Sequence, residues 1–147
     1  MSNGLGITVF QLTTGVNVIM YSEETLEHYT NPRNVGCLDT NNCRVGSGVL
    51  GNPDCGLIMR LHIQVDDNEI ITDAKFKTYG CGCAIAATSL LTELIIGKSL
   101  KEVATINDQL IAEQLRLPYD KLHCSILAED VLRHAIENYR EKQVEYA

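Results

Sequence analysis

Cys55, Cys81 and Cys124 are the residues of this sequence best placed to do chemistry, because each sits in a turn just ahead of a regular element. Cys55 lies in Asn-Pro-Asp-Cys-Gly before an alternating segment, Cys81 in Tyr-Gly-Cys-Gly-Cys before an apolar run, and Cys124 in Lys-Leu-His-Cys-Ser at the head of the last helical stretch. A helix N-terminus turns unpaired N–H groups and its positive dipole end toward such a thiol. That favours the thiolate, which attacks sulfur and binds soft metals. Glycines on both sides of Cys81 and after Cys55 remove Cβ bulk, so backbone amides can approach the sulfur. His123 adds an imidazole beside Cys124, and Cys83 a second thiol beside Cys81.

This set suits soft-metal ligation or sulfur chemistry. The CxxC pairs of a zinc ribbon are missing, so a zinc-binding structural or regulatory domain would need a scattered site built from Cys55, Cys81, Cys124 and His123. A thiol enzyme with Cys124 as nucleophile and His123 as base is a weaker reading, because neighbours on one backbone seldom point together and no orienting Asp is evident. Cys37 and Cys43 read as buried and inert or simply exposed in a loop, outside the site. His28, His62 and His134 read as solvated residues on helix or strand faces. Gly46 to Gly51 match G-x-G-x-x-G, but Asn52-Pro53 follows where a helix should start and no βαβ unit surrounds it, so these glycines read as a mobile turn carrying Cys55.

The elements that must position the thiols follow from periodicity. Ser22 caps a short helix that stops before Asn31-Pro32, with Glu23 and Glu24 at its positive end. A turn-rich stretch from Asn34 to Gly56 leaves room for one short strand over Arg44 to Leu50. Met59, Leu61, Ile63 and Val65 alternate with Arg60, His62 and Gln64, and Ala74, Phe76 and Thr78 alternate with Lys75, Lys77 and Tyr79. The two runs, joined by the Asp66–Glu69 turn, predict an antiparallel hairpin. Ala84 to Ile96 is an apolar helix stopped by Gly97. Ser99 with Glu102 forms a capping box, Asn107 caps a helix ending at Pro118, and Ser125 opens the last helix with Leu127, Val131, Ala135 and Tyr139 inward. The expected fold is α+β: a small antiparallel sheet of about three strands with helices packed on one face and the thiol site at one end.

At 147 residues, 45% hydrophobic and 21% charged, one domain over 21–147 is expected, with 1–20 an appended arm that is disordered or not native and Met20 a candidate start. A net charge of -7 repels phosphate backbones, which argues against nucleic acid, and no apolar run is long enough for a membrane span. Six cysteines without a secretory signal favour a reducing compartment. No transit signature is evident.

Together, "YSEETLEHYTNPRNVG", "VGSGVLGNPDCG", "FKTYGCG", "GKSL" and "HCSILAED", in order from Tyr21 to about Tyr139, resemble the U-type iron-sulfur cluster assembly scaffold, also found as the N-terminal domain of NifU-like proteins. The resemblance implies a non-catalytic carrier. On it, a cysteine desulfurase delivers persulfide sulfur, iron is added, and a transient [2Fe-2S] cluster is built and passed to apo iron-sulfur proteins. It implies as partners the desulfurase, a frataxin-type iron regulator, a ferredoxin, and Hsp70 and J-type chaperones, with zinc able to occupy the apo form. It places the cluster ligands at Cys55, Cys81 and Cys124, with His123 nearby, and makes Cys124, on the loop before the last helix, the persulfide acceptor. A bacterial-type cytoplasm or the matrix of a mitochondrion or a derived organelle fits the resemblance.

Three departures from the family pattern stand out. Leu57 replaces a carboxylate that ligates weakly, so the fourth position passes to His123, Cys83, a partner's thiol or Asp54. Cys83 replaces a serine and is either a packed substitute or a spare thiolate that takes over from the lost carboxylate. Leu117, Pro118, Tyr119, Asp120 and Lys121 stand where the family's chaperone-binding segment reads "LPPVK", and are expected to be extended.

Overall fold

The structure, a computed structural model, describes residues 7–11, 18–52, 54 and 56–145. Strands β1 (Ile7–Gln11) and β2 (Val18–Ser22) form an antiparallel hairpin that leads into α1 (Glu23–Thr30). Ser22 ends β2 and caps α1, its Oγ accepting from the Thr25 N–H at 3.0 Å. The central sheet has the order β3-β4-β5, all antiparallel, from β3 (Val45–Asn52), β4 (Leu57–Val65) and β5 (Ile71–Tyr79). Then follow α2 (Gly82–Ile95), the short α3 (Leu100–Val103), α4 (Asp108–Leu115) and the long α5 (Leu122–Glu145).

The predicted hairpin forms as β4 and β5, with Leu61 opposite Phe76 and Ile63 opposite Ala74. Met59, Leu61, Ile63, Ala74 and Phe76 are all buried under α2 and α5, which lie on this one face of the sheet. Gly97, at φ +87, ends the α2 region as expected, and Ser99 and Asn107 cap α3 and α4 through the N–H groups of Glu102 and Leu110.

The glycines of 46–51 are strand residues of β3, not a mobile turn. Gly46 and Gly48 face α5 so closely that a Cβ on Gly48 would lie 2.4 Å from the Val131 carbonyl oxygen and 2.9 Å from the Ala135 nitrogen. Backbone cannot yield there as a flexible side chain would. Gly48→Ala is therefore expected to lower stability by roughly 2–3 kcal/mol, read as a shifted urea midpoint with an unchanged slope. The last helix also starts earlier than expected, at Leu122, and Ser125 lies inside it with its hydroxyl donating to the Leu122 carbonyl. Tyr119–Lys121 is a 3-10 turn rather than an extended segment, and Tyr119 is 92% exposed.

His28 and His62 are not solvated: they are 8% and 5% exposed, whereas His134 does face water. His62 Nδ1 accepts from the Leu38 N–H at 3.0 Å. His28 Nε2 faces Glu93 at 3.2 Å, so its Nδ1 accepts from the Ser89 hydroxyl at 2.7 Å, and Ser89 Oγ in turn accepts from the Arg33 N–H. Burial is the main force pushing both imidazoles below the ordinary histidine range. Arg60 and Lys142 add to it at His62, while Glu93 pulls the other way at His28. The unfolded chain binds protons on these groups below about pH 6.5 and the folded chain resists them, so stability falls as pH drops through that value. Urea midpoints at pH 7.5 and 5.5 check this: the lower midpoint is expected at 5.5.

Candidate thiolate site

Strand β5 ends at Tyr79 and α2 begins at Gly82, so Gly80 and Cys81 make the joint between sheet and helix. Gly80 has φ +154, and any Cβ there would strike Leu57 Cδ1 at 2.6 Å. Gly82 lies under Tyr21 and Tyr29, whose rings meet edge-on with centroids 6.4 Å apart. The positive φ favours glycine at 80, and a Cβ at 82 would press on both rings at 3.2 to 3.3 Å. Cys81 is the N-cap of α2, half-buried at the joint, and Cys83 lies one residue into the helix with no exposed surface.

Cys124 arrives from the other end of the chain. It heads the buried stripe of α5 that continues through Ala128, Val131, Ala135 and Tyr139, so the packing that seats α5 on β3 also aims its thiol inward. Cys124 is thus inside a helix and fully buried, not on a loop. Its Sγ lies 3.7 Å from Cys81 Sγ. Two thiolates on one tetrahedral metal, each bonded at about 2.3 Å, stand about 3.8 Å apart, so this pair already has the spacing of one edge of a metal-thiolate tetrahedron.

The electrostatics fit a shared negative charge. Hydrogen bonds from Cys124 and then Cys83 hold Cys81 far below the ordinary thiol range, as thiolate. The same bonds to Cys81, reinforced by burial, push Cys83 and Cys124 up, as thiols. The Lys121 ammonium acts on all three sulfurs in the sense that favours thiolate. Burial, with the neighbouring Cys83 and Cys81 sulfurs acting in the same sense, raises the Tyr21 phenol to about 12, so it stays protonated beside the site.

Of the residues expected from sequence, Cys81, Cys83 and Cys124 come together. His123 is exposed, about 100° around α5 from Cys124. Asp54 is exposed, and Cys55 lies outside the described residues. Leu57, 4% exposed, packs at Gly80 beside the joint. Among the described residues, which leave out Cys55, no group of three Cys, His, Asp or Glu side chains is arranged to hold a metal ion. Sequence reasoning missed Tyr21 and the electrostatic role of Lys121. The second had a signal in its position three residues before Cys124, and the first depends on a contact made only in the fold.

The chain is thus an α+β domain with thiols gathered at a sheet-to-helix joint. Residues 20–146 match the model of the NifU-like N terminal domain, and the chain belongs to that family. It is 58% identical over 123 residues to the iron-sulfur cluster assembly scaffold protein IscU of Haemophilus influenzae, covering 84% of this chain and 98% of that one. It is 54% identical over 123 residues to the iron sulfur cluster assembly protein 1, mitochondrial, of Yarrowia lipolytica, covering 84% and 68%. Among solved structures, the putative iron-sulfur cluster assembly scaffold protein for the SUF system of Fervidobacterium islandicum shares the fold at a TM-score of 0.63 and 24% identity, over 78% of this chain and 95% of that one.

Proposed function

We propose that this protein is a scaffold on which a [2Fe-2S] cluster is assembled from iron and desulfurase-derived sulfur and then passed to apo-acceptors. The observation that carries the reading is the 3.7 Å pairing of Cys81 and Cys124 at the open joint. The cluster is cargo, held by soft thiolates and released. Cys55, Cys81 and Cys124 supply three donors, and the fourth position falls to Cys83, which already touches Cys81, or to the exposed His123. The scaffold names of relatives such as the Haemophilus protein support this reading.

The partners that follow are a cysteine desulfurase, a frataxin-type iron regulator, a ferredoxin as electron source and apo iron-sulfur proteins as acceptors. The Leu117–Lys121 segment is the proposed chaperone grip, and its 3-10 turn at Tyr119–Lys121 must open to be held in extended form. Residues 21–147 form the working domain. A cytoplasm or mitochondrial-type matrix suits the bacterial and mitochondrial relatives, and no helix among the described residues is long and apolar enough to cross a membrane.

Anaerobic incubation with a cysteine desulfurase, cysteine and ferrous iron, followed by addition of apo-ferredoxin, tests the proposal. Activation of the ferredoxin is expected; a colourless protein that activates nothing would sink it and leave a zinc site. In the same assay Cys83→Ser is expected to shorten the lifetime of the bound cluster severalfold without preventing its formation. An unchanged lifetime removes Cys83 from the fourth position and leaves it to His123, Asp54 or a partner's thiol.

A further inference from the structure

Away from the thiol joint, a crevice runs between α3 and the middle of α5. Its first chamber, about 200 Å³, has an apolar floor of Leu100 and Val103 from α3, Ile106 from the turn that follows, and Leu132 and Ile136 from α5. Leu100, Val103 and Leu132 are no more than 3% exposed, so this is a slot and not a flat patch. The second chamber, about 410 Å³, is polar and is lined by Asn68, Glu69, Ser99, Lys101 and Arg140. Leu100, Ala104 and Arg140 border both chambers, which makes them one groove with an apolar and a polar end.

The charges decide what fits. Lys101 and Arg140 reach the polar chamber from α3 and α5 and form no ion pair among the described residues. Glu69 alone opposes them there, so that end carries a surplus positive charge. In the apolar chamber Arg133 is paired with Glu129 and Asp130, while Glu137 lines it without an ion pair, so a negative group is repelled from that end. Ser99 Oγ already accepts from the Glu102 N–H, which leaves its O–H as a donor. We propose that the groove binds a monoanionic amphiphile, a carboxylate on an unbranched alkyl chain of medium length, with its head between Lys101 and Arg140 and its tail over Leu132 and Ile136. Burial of the tail drives binding, and the two cations set its orientation and the sign of the ligand. One surplus positive charge suits a single carboxylate. A nucleoside triphosphate would bring several negative charges against Glu69 and Glu137, and its base would find no polar partner on the apolar floor.

Isothermal titration of the full chain with sodium octanoate, kept below its micelle concentration, measures binding, and methyl NMR locates it. One-to-one saturation is expected, with shifts at Leu100, Val103, Leu132 and Ile136. Octan-1-ol, which keeps the tail without the charge, should bind roughly fivefold more weakly, and octylamine more weakly still. Arg140→Gln and Lys101→Gln, both at exposed positions, should each weaken octanoate roughly threefold and leave octan-1-ol unchanged. Ala104→Leu, also at an exposed position and bordering both chambers, should block both ligands. Octanoate that never saturates, that binds no better than octylamine, that shifts methyl groups elsewhere, or that is indifferent to both Arg140→Gln and Lys101→Gln overturns the proposal. A urea melt checks the fold of each variant. Should Ala104→Leu unfold, the ratio of octanoate to octan-1-ol affinity across Arg140→Gln and Lys101→Gln decides.

Discussion

Cys81→Ser is expected to abolish cluster assembly while leaving the fold as stable as before, or more so. The loss follows from geometry: Cys81 is in contact with both Cys83 and Cys124, so removing its sulfur breaks the metal-thiolate edge and leaves Cys83 and Cys124 buried behind the joint. The gain follows from position. Cys81 is the N-cap of α2 and makes no side-chain capping bond, whereas serine is among the best caps and contributes up to about 1 kcal/mol. Function and stability are opposed at this residue, as expected of an active thiol placed where a structural residue would serve the helix better. Visible absorbance after reconstitution and a urea melt of the apo protein check the two halves. A variant that binds a full cluster would show that the joint is not the site.

Leu57→Asp carries the second large effect, with opposite signs in the apo and loaded states. Leu57 is 4% exposed and packed against Gly80, so truncating it costs roughly 2–5 kcal/mol, and the buried carboxylate adds a desolvation cost of its own. Burial raises the carboxylate pKa, which means the folded form prefers it protonated, and part of the loss is recovered as pH falls. Metal reverses the balance. A cation at the joint pairs with the new carboxylate, so added zinc should raise the melting temperature of Leu57→Asp by more than it raises that of the wild type. The bound cluster, given an exchangeable oxygen ligand, should leave faster. A variant with wild-type apo stability would mean that Leu57 does not pack as described.

The parts of the fold that obey local rules were legible in the sequence. The β4–β5 hairpin follows from strict alternation, α2 from its apolar run and glycine stop, and α1, α3 and α4 from their capping residues. Cys81 and Cys124 were legible because each stands at the head of a helical run, Cys81 between two glycines and Cys124 beside His123. What stayed hidden depends on distant partners. Gly46 and Gly48 read as a flexible turn because glycine does not reveal what approaches it, and the approaching surface is the backbone of α5. His28 and His62 read as solvated because Ser89, Glu93 and the Leu38 amide are remote in sequence or in a loop without periodicity. Cys124 read as a loop residue because Ser125 looks like a helix cap, although the buried stripe of α5 extends back to Cys124 itself. The β1–β2 hairpin rests on strands whose alternation is too loose to stand out.

Native mass spectrometry under anaerobic conditions, after loading by a desulfurase with cysteine and ferrous iron, weighs the central claim directly. A chain heavier by two irons and two sulfides, with that increment absent in Cys81→Ser, is the result the account predicts. A chain that gains only zinc, or that gains the same iron and sulfide without Cys81, contradicts it.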